Sequence, residues 1–161
     1  MHSSVFEISH APVPAAKWAR AGNLPDWFYE QICDYAENTD PVQRQDAISQ
    51  FCRALGGLCA LDEDRLTVSP QIRGTYFRKS YSCFIRTAET LVQTDYEAFS
   101  ECRTDQTFSL ALGKLNNCYE DKRGIYIYLS ETCELMTLDR WLRTADFSKP
   151  FYIGGTINYH Y

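Results

Sequence analysis

Arg123-Gly124-Ile125-Tyr126-Ile127-Tyr128-Leu129 alternates strictly: Ile125, Ile127 and Leu129 share one face of a predicted strand, and Tyr126 and Tyr128 share the other. An aliphatic face needs a core behind it, whereas tyrosine hydroxyls need partners or water. A second strand is predicted beyond Pro150, over Phe151-Tyr152-Ile153-Gly154-Gly155-Thr156-Ile157-Asn158-Tyr159-His160-Tyr161. Phe151, Ile153, Ile157 and Tyr159 have one parity there, which predicts a shared face. The Gly154-Gly155 pair predicts a bulge, a bend or the close approach of another backbone. Between the two strands, Thr137 caps a helix carrying Leu138, Trp141, Leu142 and Ala145.

Toward the N-terminus, Val5-Phe6-Glu7-Ile8 reads as a short strand, and Pro12 and Pro14 mark an extended connector. A helix is predicted from Pro25 to Glu37, with Phe28, Ile32, Tyr35 and Ala36 as its apolar stripe and Asp26, Glu30, Asp34 and Glu37 on a solvated face. Asp40-Pro41-Val42-Gln43 is a capping box with proline at the first helical position; Ile48, Phe51, Cys52 and Leu55 follow at helical spacing, and Gly56-Gly57 ends the helix. Leu58 to Leu61 and Leu66 to Val68 flank a polar turn and predict a hairpin.

After Ser69-Pro70, an amphipathic helix is predicted from Thr75 to Val92. Phe77, Tyr81, Phe84, Ile85, Ala88, Leu91 and Val92 lie on one side of it, and Lys79, Ser82, Arg86, Glu89 and Gln93 on the other. Thr94-Asp95-Tyr96-Glu97 is a second capping box, opening a short helix toward Cys102. Residues 108–115 fit both an alternating and a helical pattern; helix is favoured, although Gly113 weakens either. Together these elements predict an α+β fold, a single globular domain over residues 1–161. Its sheet is antiparallel or mixed, with about four to five strands from the N-terminal strand, the hairpin and the two C-terminal strands, covered by about four to six helices.

Composition narrows the function classes. With 21 acidic residues against 16 basic ones the net charge is -5, which argues against nucleic acid and anionic membrane as partners, because phosphate contacts need clustered cations. Seven cysteines without a C-x-x-C pair predict free thiols in a reducing cytoplasm. Met1-His2-Ser3-Ser4-Val5-Phe6-Glu7 has neither a basic nor a long apolar leader region, which again predicts a cytoplasmic protein with no membrane span. His2, His10 and His160 lie at the two ends of the chain with no H-x-x-x-H spacing or paired cysteine to support them, so no metal is predicted. Neither a nucleophile elbow nor a phosphate loop is present, and neither catalytic residues nor a cofactor are predicted.

Lys122-Arg123 and the tyrosines Tyr126, Tyr128 and Tyr152 have the aromatic-plus-arginine composition of a protein interface. Burial under helix 138–145 through Trp141 explains the same tyrosines, and the sequence leaves both readings open. The leading function is a non-enzymatic, protein-binding accessory or regulatory factor with an unknown partner. The alternative is a nucleic-acid-binding regulator, with residues 25–68 as a winged-helix-like unit offering Gln43, Arg44, Gln45, Gln50 and Arg53. An RNA-stacking strand fails as a reading, because Ile125 and Ile127 stand where that motif needs aromatics. An enzyme of unspecified class comes third.

Ser4-Val5-Phe6-Glu7-Ile8-Ser9 with the Pro12-x-Pro14 connector, the Tyr119-Glu120-Asp121-Lys122 to Tyr128 region, and Tyr152-Ile153-Gly154-Gly155-Thr156-Ile157-Asn158-Tyr159-His160 resemble small uncharacterised accessory proteins of integrative and conjugative elements in Gram-positive gut bacteria. The resemblance implies a mobile element in a bacterial cytoplasm as the setting. Its motifs are structural and carry over no functional residue.

Overall fold

The last strand organises the sheet. In the computed structural model, which describes residues 1–100 and 107–161, the strands are β1 (His2–Ser9), β2 (Tyr35–Asn38), β3 (Cys59–Asp62), β4 (Arg65–Val68), β5 (Tyr126–Leu129), β6 (Glu134–Thr137) and β7 (Phe151–His160). The helices are α1 (Asp26–Gln31), α2 (Pro41–Ala54), α3 (Ile72–Tyr76), α4 (Arg78–Val92), α5 (Tyr96–Ser100), α6 (Thr107–Tyr119) and α7 (Leu138–Thr144). Seven strands form one mixed sheet in the order β3-β4-β7-β1-β5-β6, with β2 paired to β7. β1 is parallel to β5 and antiparallel to β7. The other edge of β7 carries β4 at Phe151 and Tyr152 and β2 from Ile157 to His160.

The chain is α+β with a mixed sheet, but it has more strands than the four to five expected. The helix expected from Pro25 to Glu37 stops at Gln31, and Tyr35–Asn38 becomes β2 because the backbone edge of β7 offers it a ladder. That pairing outweighs the local helical pattern. β6 is the other unexpected strand: the turn from β5 passes through Cys133 at φ 54, and Glu134–Thr137 then folds back on β5 before α7 begins. Residues 108–115 are helical, within α6. The helix expected over 75–92 is divided into α3 and α4. Cys102 lies outside the described residues.

Two compact units make up the chain, Met1–Arg73 with Lys122–Tyr161, and Gly74–Asp121. The sheet belongs to the first, and both of its faces are covered. On one face Val5, Tyr126, Tyr128, Ile157 and Tyr159 pack with Ala19, Leu24, Phe28 and Cys33 from the segment leading through α1. On the other, Phe6 stacks on Phe51 of α2 at 4.5 Å, and Trp141 of α7 packs against Phe147 and Phe151. The capping box expected at Asp40 forms: its carboxylate accepts from the Val42 and Gln43 amides, both at 2.8 Å.

The shared parity of Phe151, Ile153, Ile157 and Tyr159 does not put them on one face. Phe6 pairs with Thr156 and Ile8 with Ile153, so Glu7 of β1 stands opposite both Gly154 and Gly155. This bulge inserts one residue and reverses the pleat. Phe151 accordingly joins Trp141, while Ile157 and Tyr159 join Phe28 beneath the opposite face.

Buried Glu7 fills the bulge. Its Oε2 accepts from the Ala19 amide at 2.8 Å and the Gly155 amide at 2.7 Å, and its Oε1 accepts from the Ser130 hydroxyl at 2.6 Å. A Cβ at Gly154 would overlap this carboxylate, and one at Gly155 would overlap the Ala19 carbonyl. On the far edge of β7, Arg44 of α2 occupies the gap between β4 and β2. Its Nη2 donates to the Ile153 and Gly154 carbonyls at 2.8 and 2.9 Å and to Asp64 at 2.8 Å, while its guanidinium lies over the Trp18 ring.

Truncation after Pro150 should give an unfolded or aggregated product. It removes three strands' partner and four buried side chains, each contributing roughly 1.5–3 kcal/mol against a total stability of about 5–15 kcal/mol. A soluble fragment that melts cooperatively would contradict this. By chemical denaturation, Glu7→Ala should cost about 2–6 kcal/mol, because it orphans two buried amides at roughly 1–3 kcal/mol each. Glu7→Gln should cost less, since its carbonyl can still accept both amides and its NH2 can donate to Ser130.

Candidate functional site

The residues proposed from sequence as an interface are divided by the fold. Tyr126 is only 2 % exposed and Tyr128 is also buried, whereas Lys122 and Arg123 are exposed and Tyr152 is half-buried at the β4 edge of β7. Tyr126 packs edge-on to Phe28 at 4.9 Å, and its hydroxyl donates to the Lys122 carbonyl at 2.9 Å. Burial, a hydrogen bond with Cys133 and the nearby Glu7 carboxylate push the Tyr128 phenol up to about 12. The tyrosine face is thus covered by α1, while Trp141, expected to cover it, lies against the other face. Packing accounts for both tyrosines.

The three histidines remain near the chain ends: His2 and His160 rings are 5.0 Å apart, with His160 beside Asp34, and His10 packs on Phe151. Among the described residues no three His, Cys, Asp or Glu side chains converge as metal ligands, and no helix is long and apolar enough to cross a membrane. Residues 25–68 contribute α1, β2, α2 and the β3–β4 hairpin, with every strand joined to the sheet. In the winged-helix-like alternative this segment is two helices and a hairpin; here β2 lies between the helices and all three strands are part of the seven-stranded sheet. Arg44, one of the groups that the alternative reading offered to nucleic acid, is engaged with β7.

The unit Gly74–Asp121 is built differently. α4 and α6 pack together, burying Thr87 on one and Ala111 on the other. Lys79, Cys83 and Arg86 of α4 line open grooves of about 630 and 660 Å³ together with Leu110, Lys114 and Cys118 of α6. Around buried Thr87 on α4, Cys83, Phe84, Ala88 and Leu91 are half-buried. The rest of its apolar stripe, Tyr81, Ile85 and Val92, follows helical spacing toward a different side. Tyr81 is 65 % exposed and Val92 is 85 % exposed, and Ile85 is exposed as well.

Cys83 of α4 and Cys118 of α6 line the same groove. The Cys118 thiol holds Cys83 below the ordinary thiol range, and the Lys114 charge, the Thr87 hydroxyl and the Arg86 charge act in the same direction. Burial and the Cys83 neighbour push Cys118 up. Sequence reasoning missed this pair because the two cysteines are far apart in the chain and no short spacing marks them. The helical stripe of α4 was legible, but its exposure was not.

Compared with protein-family models, curated proteins and solved structures, the chain matches none.

Replacing Tyr126 and Tyr128 together by Ser should cost several kcal/mol, by analogy with the roughly 3–5 kcal/mol lost when a large aromatic is removed from a core. Equilibrium unfolding measures this; a double variant of unchanged stability would reopen the tyrosine face as an interface.

Proposed function

We propose that the protein is a non-enzymatic, protein-binding accessory factor, acting in the setting its resemblance implies, a bacterial integrative and conjugative element. The observation that carries this reading is the exposed part of the apolar stripe of α4, where Tyr81, Ile85 and Val92 face outward at helical spacing. Exposed apolar patches of this kind mark interaction sites on soluble proteins. The occupant that fits is an amphipathic helix of a partner protein, whose apolar residues at i, i+3, i+4 and i+7 interlock with the same spacing on α4. Arg78, Lys79 and Arg86 outnumber Glu89 along α4, so acidic residues suit the flanks of that partner helix.

The test is affinity purification from the native host with wild-type protein and a Tyr81→Asp/Val92→Asp variant. Both positions are well exposed, so each substitution should change stability by only about 0.5 kcal/mol. A stoichiometric protein partner should survive nuclease treatment on the wild type and be lost from the variant at unchanged melting temperature. Retention by the variant would overturn the assignment of the stripe. Loss of the partner on nuclease treatment would favour the nucleic-acid reading instead.

A further inference from the structure

Two pairs of neighbouring thiols occur among the described residues, in different surroundings. Cys52 and Cys59 adjoin each other beside the β3–β4 hairpin, and burial together with the Cys52 thiol pushes Cys59 up to about 12. Cys83 and Cys118 share an open groove between α4 and α6, with Lys79 and Lys114 on its walls. Arg86 and Thr87 follow Cys83 by about one helical turn, and Lys114 precedes Cys118 by one turn. Cationic neighbours favour thiolate, and thiolate is the nucleophilic form. Cys59 in the first pair is shielded, whereas the second pair lies along an open groove beside cationic side chains.

We propose that Cys83 and Cys118 form a redox-active dithiol that a hydroperoxide converts to a reversible disulfide joining α4 to α6. The Cys83 thiolate attacks the terminal peroxide oxygen and the O–O bond breaks. Its sulfur is oxidised to a sulfenic acid, and the remaining oxygen takes a proton from solvent and leaves as water or an alcohol. The Cys118 sulfur then attacks the Cys83 sulfur; the S–S bond forms, the S–O bond breaks, and hydroxide departs as water with the proton from Cys118. The balance is two thiols and one hydroperoxide giving one disulfide, one water and one further water or alcohol. A dithiol reductant reverses the state by thiol–disulfide exchange and is itself oxidised to a disulfide. Lys114 and Arg86 assist by stabilising the attacking thiolate, and so act as positioning residues.

The experiment uses the full, reduced chain, treated with hydrogen peroxide at neutral pH, quenched by alkylation and mapped by peptide mass spectrometry. The first product should have lost two hydrogen masses, contain linked peptides bearing Cys83 and Cys118, and return to the starting mass with dithiothreitol. Cys118→Ser should halt at a sulfenic acid on Cys83 that dimedone traps. Lys114→Gln should slow oxidation several-fold at neutral pH and match the wild-type rate once the pH exceeds the thiol range. A first disulfide between Cys52 and Cys59, or oxidation spread evenly over the cysteines, would overturn the proposal. The wild-type map alone decides between these outcomes should a variant fail to fold.

Discussion

The Glu7 carboxylate at the β1–β7 bulge is the contact on which the sheet unit depends. It receives the amides of Ala19 and Gly155 and the hydroxyl of Ser130, and so ties β1 to the segment before α1, to the last strand and to the turn after β5. A buried polar group is stabilising only when its hydrogen-bonding capacity is filled, and here three donors fill it. The same contact explains the paired glycines: any side chain at Gly154 or Gly155 would displace either the carboxylate or the Ala19 backbone. Arg44 completes the arrangement from the opposite edge, satisfying the carbonyls of Ile153 and Gly154 where neither β4 nor β2 reaches. Both polar anchors thus hold the one place where the pleat of β7 reverses, and a slip in register there would separate each from its partners.

Features encoded by adjacent residues were legible in the sequence. Asp40-Pro41-Val42-Gln43 starts α2, Thr137 caps α7 through a bond from the Arg140 amide, and the alternation of Ile125 to Leu129 yields β5. The glycine pair was legible as a bulge or close approach, and both occur. Its partner was not: Glu7 looks like an ordinary solvent-facing position in a strand until the opposite strand is known. Tyr35–Asn38 was illegible for a related reason, because its extended state comes from a ladder supplied by residues more than a hundred positions away. The Cys83–Cys118 pair depends on how α4 meets α6, which no short spacing encodes.

The residues 74–121 obey a different logic from the sheet unit. There, only part of the apolar stripe of α4 is covered: Phe84, Ala88 and Leu91 are half-buried, while Tyr81, Ile85 and Val92 stay exposed. The pairing of α4 with α6 buries Thr87 and Ala111 but leaves large apolar side chains of α4 exposed, with Cys83 and Cys118 along an open groove. Sequence amphipathicity identifies a stripe that needs a partner, but not whether the same chain supplies it. The thiol groove and the apolar stripe occupy different sides of α4, so chemistry at one and docking at the other are separable properties of a single helix.

The central position of β7 governs the order in which this molecule can be assembled. Translation proceeds from β1 toward β7, so the nascent β1 emerges with both sheet neighbours, β5 and β7, still unmade. Glu7 has no Gly155 amide to accept until almost the whole described chain has left the ribosome. The His2–His160 pairing then closes a very long loop, a step with a high entropic barrier and a correspondingly slow rate. The helices of 74–121, whose contacts are local, can form during the wait; the sheet forms late, around a strand that arrives last and takes its place in the middle.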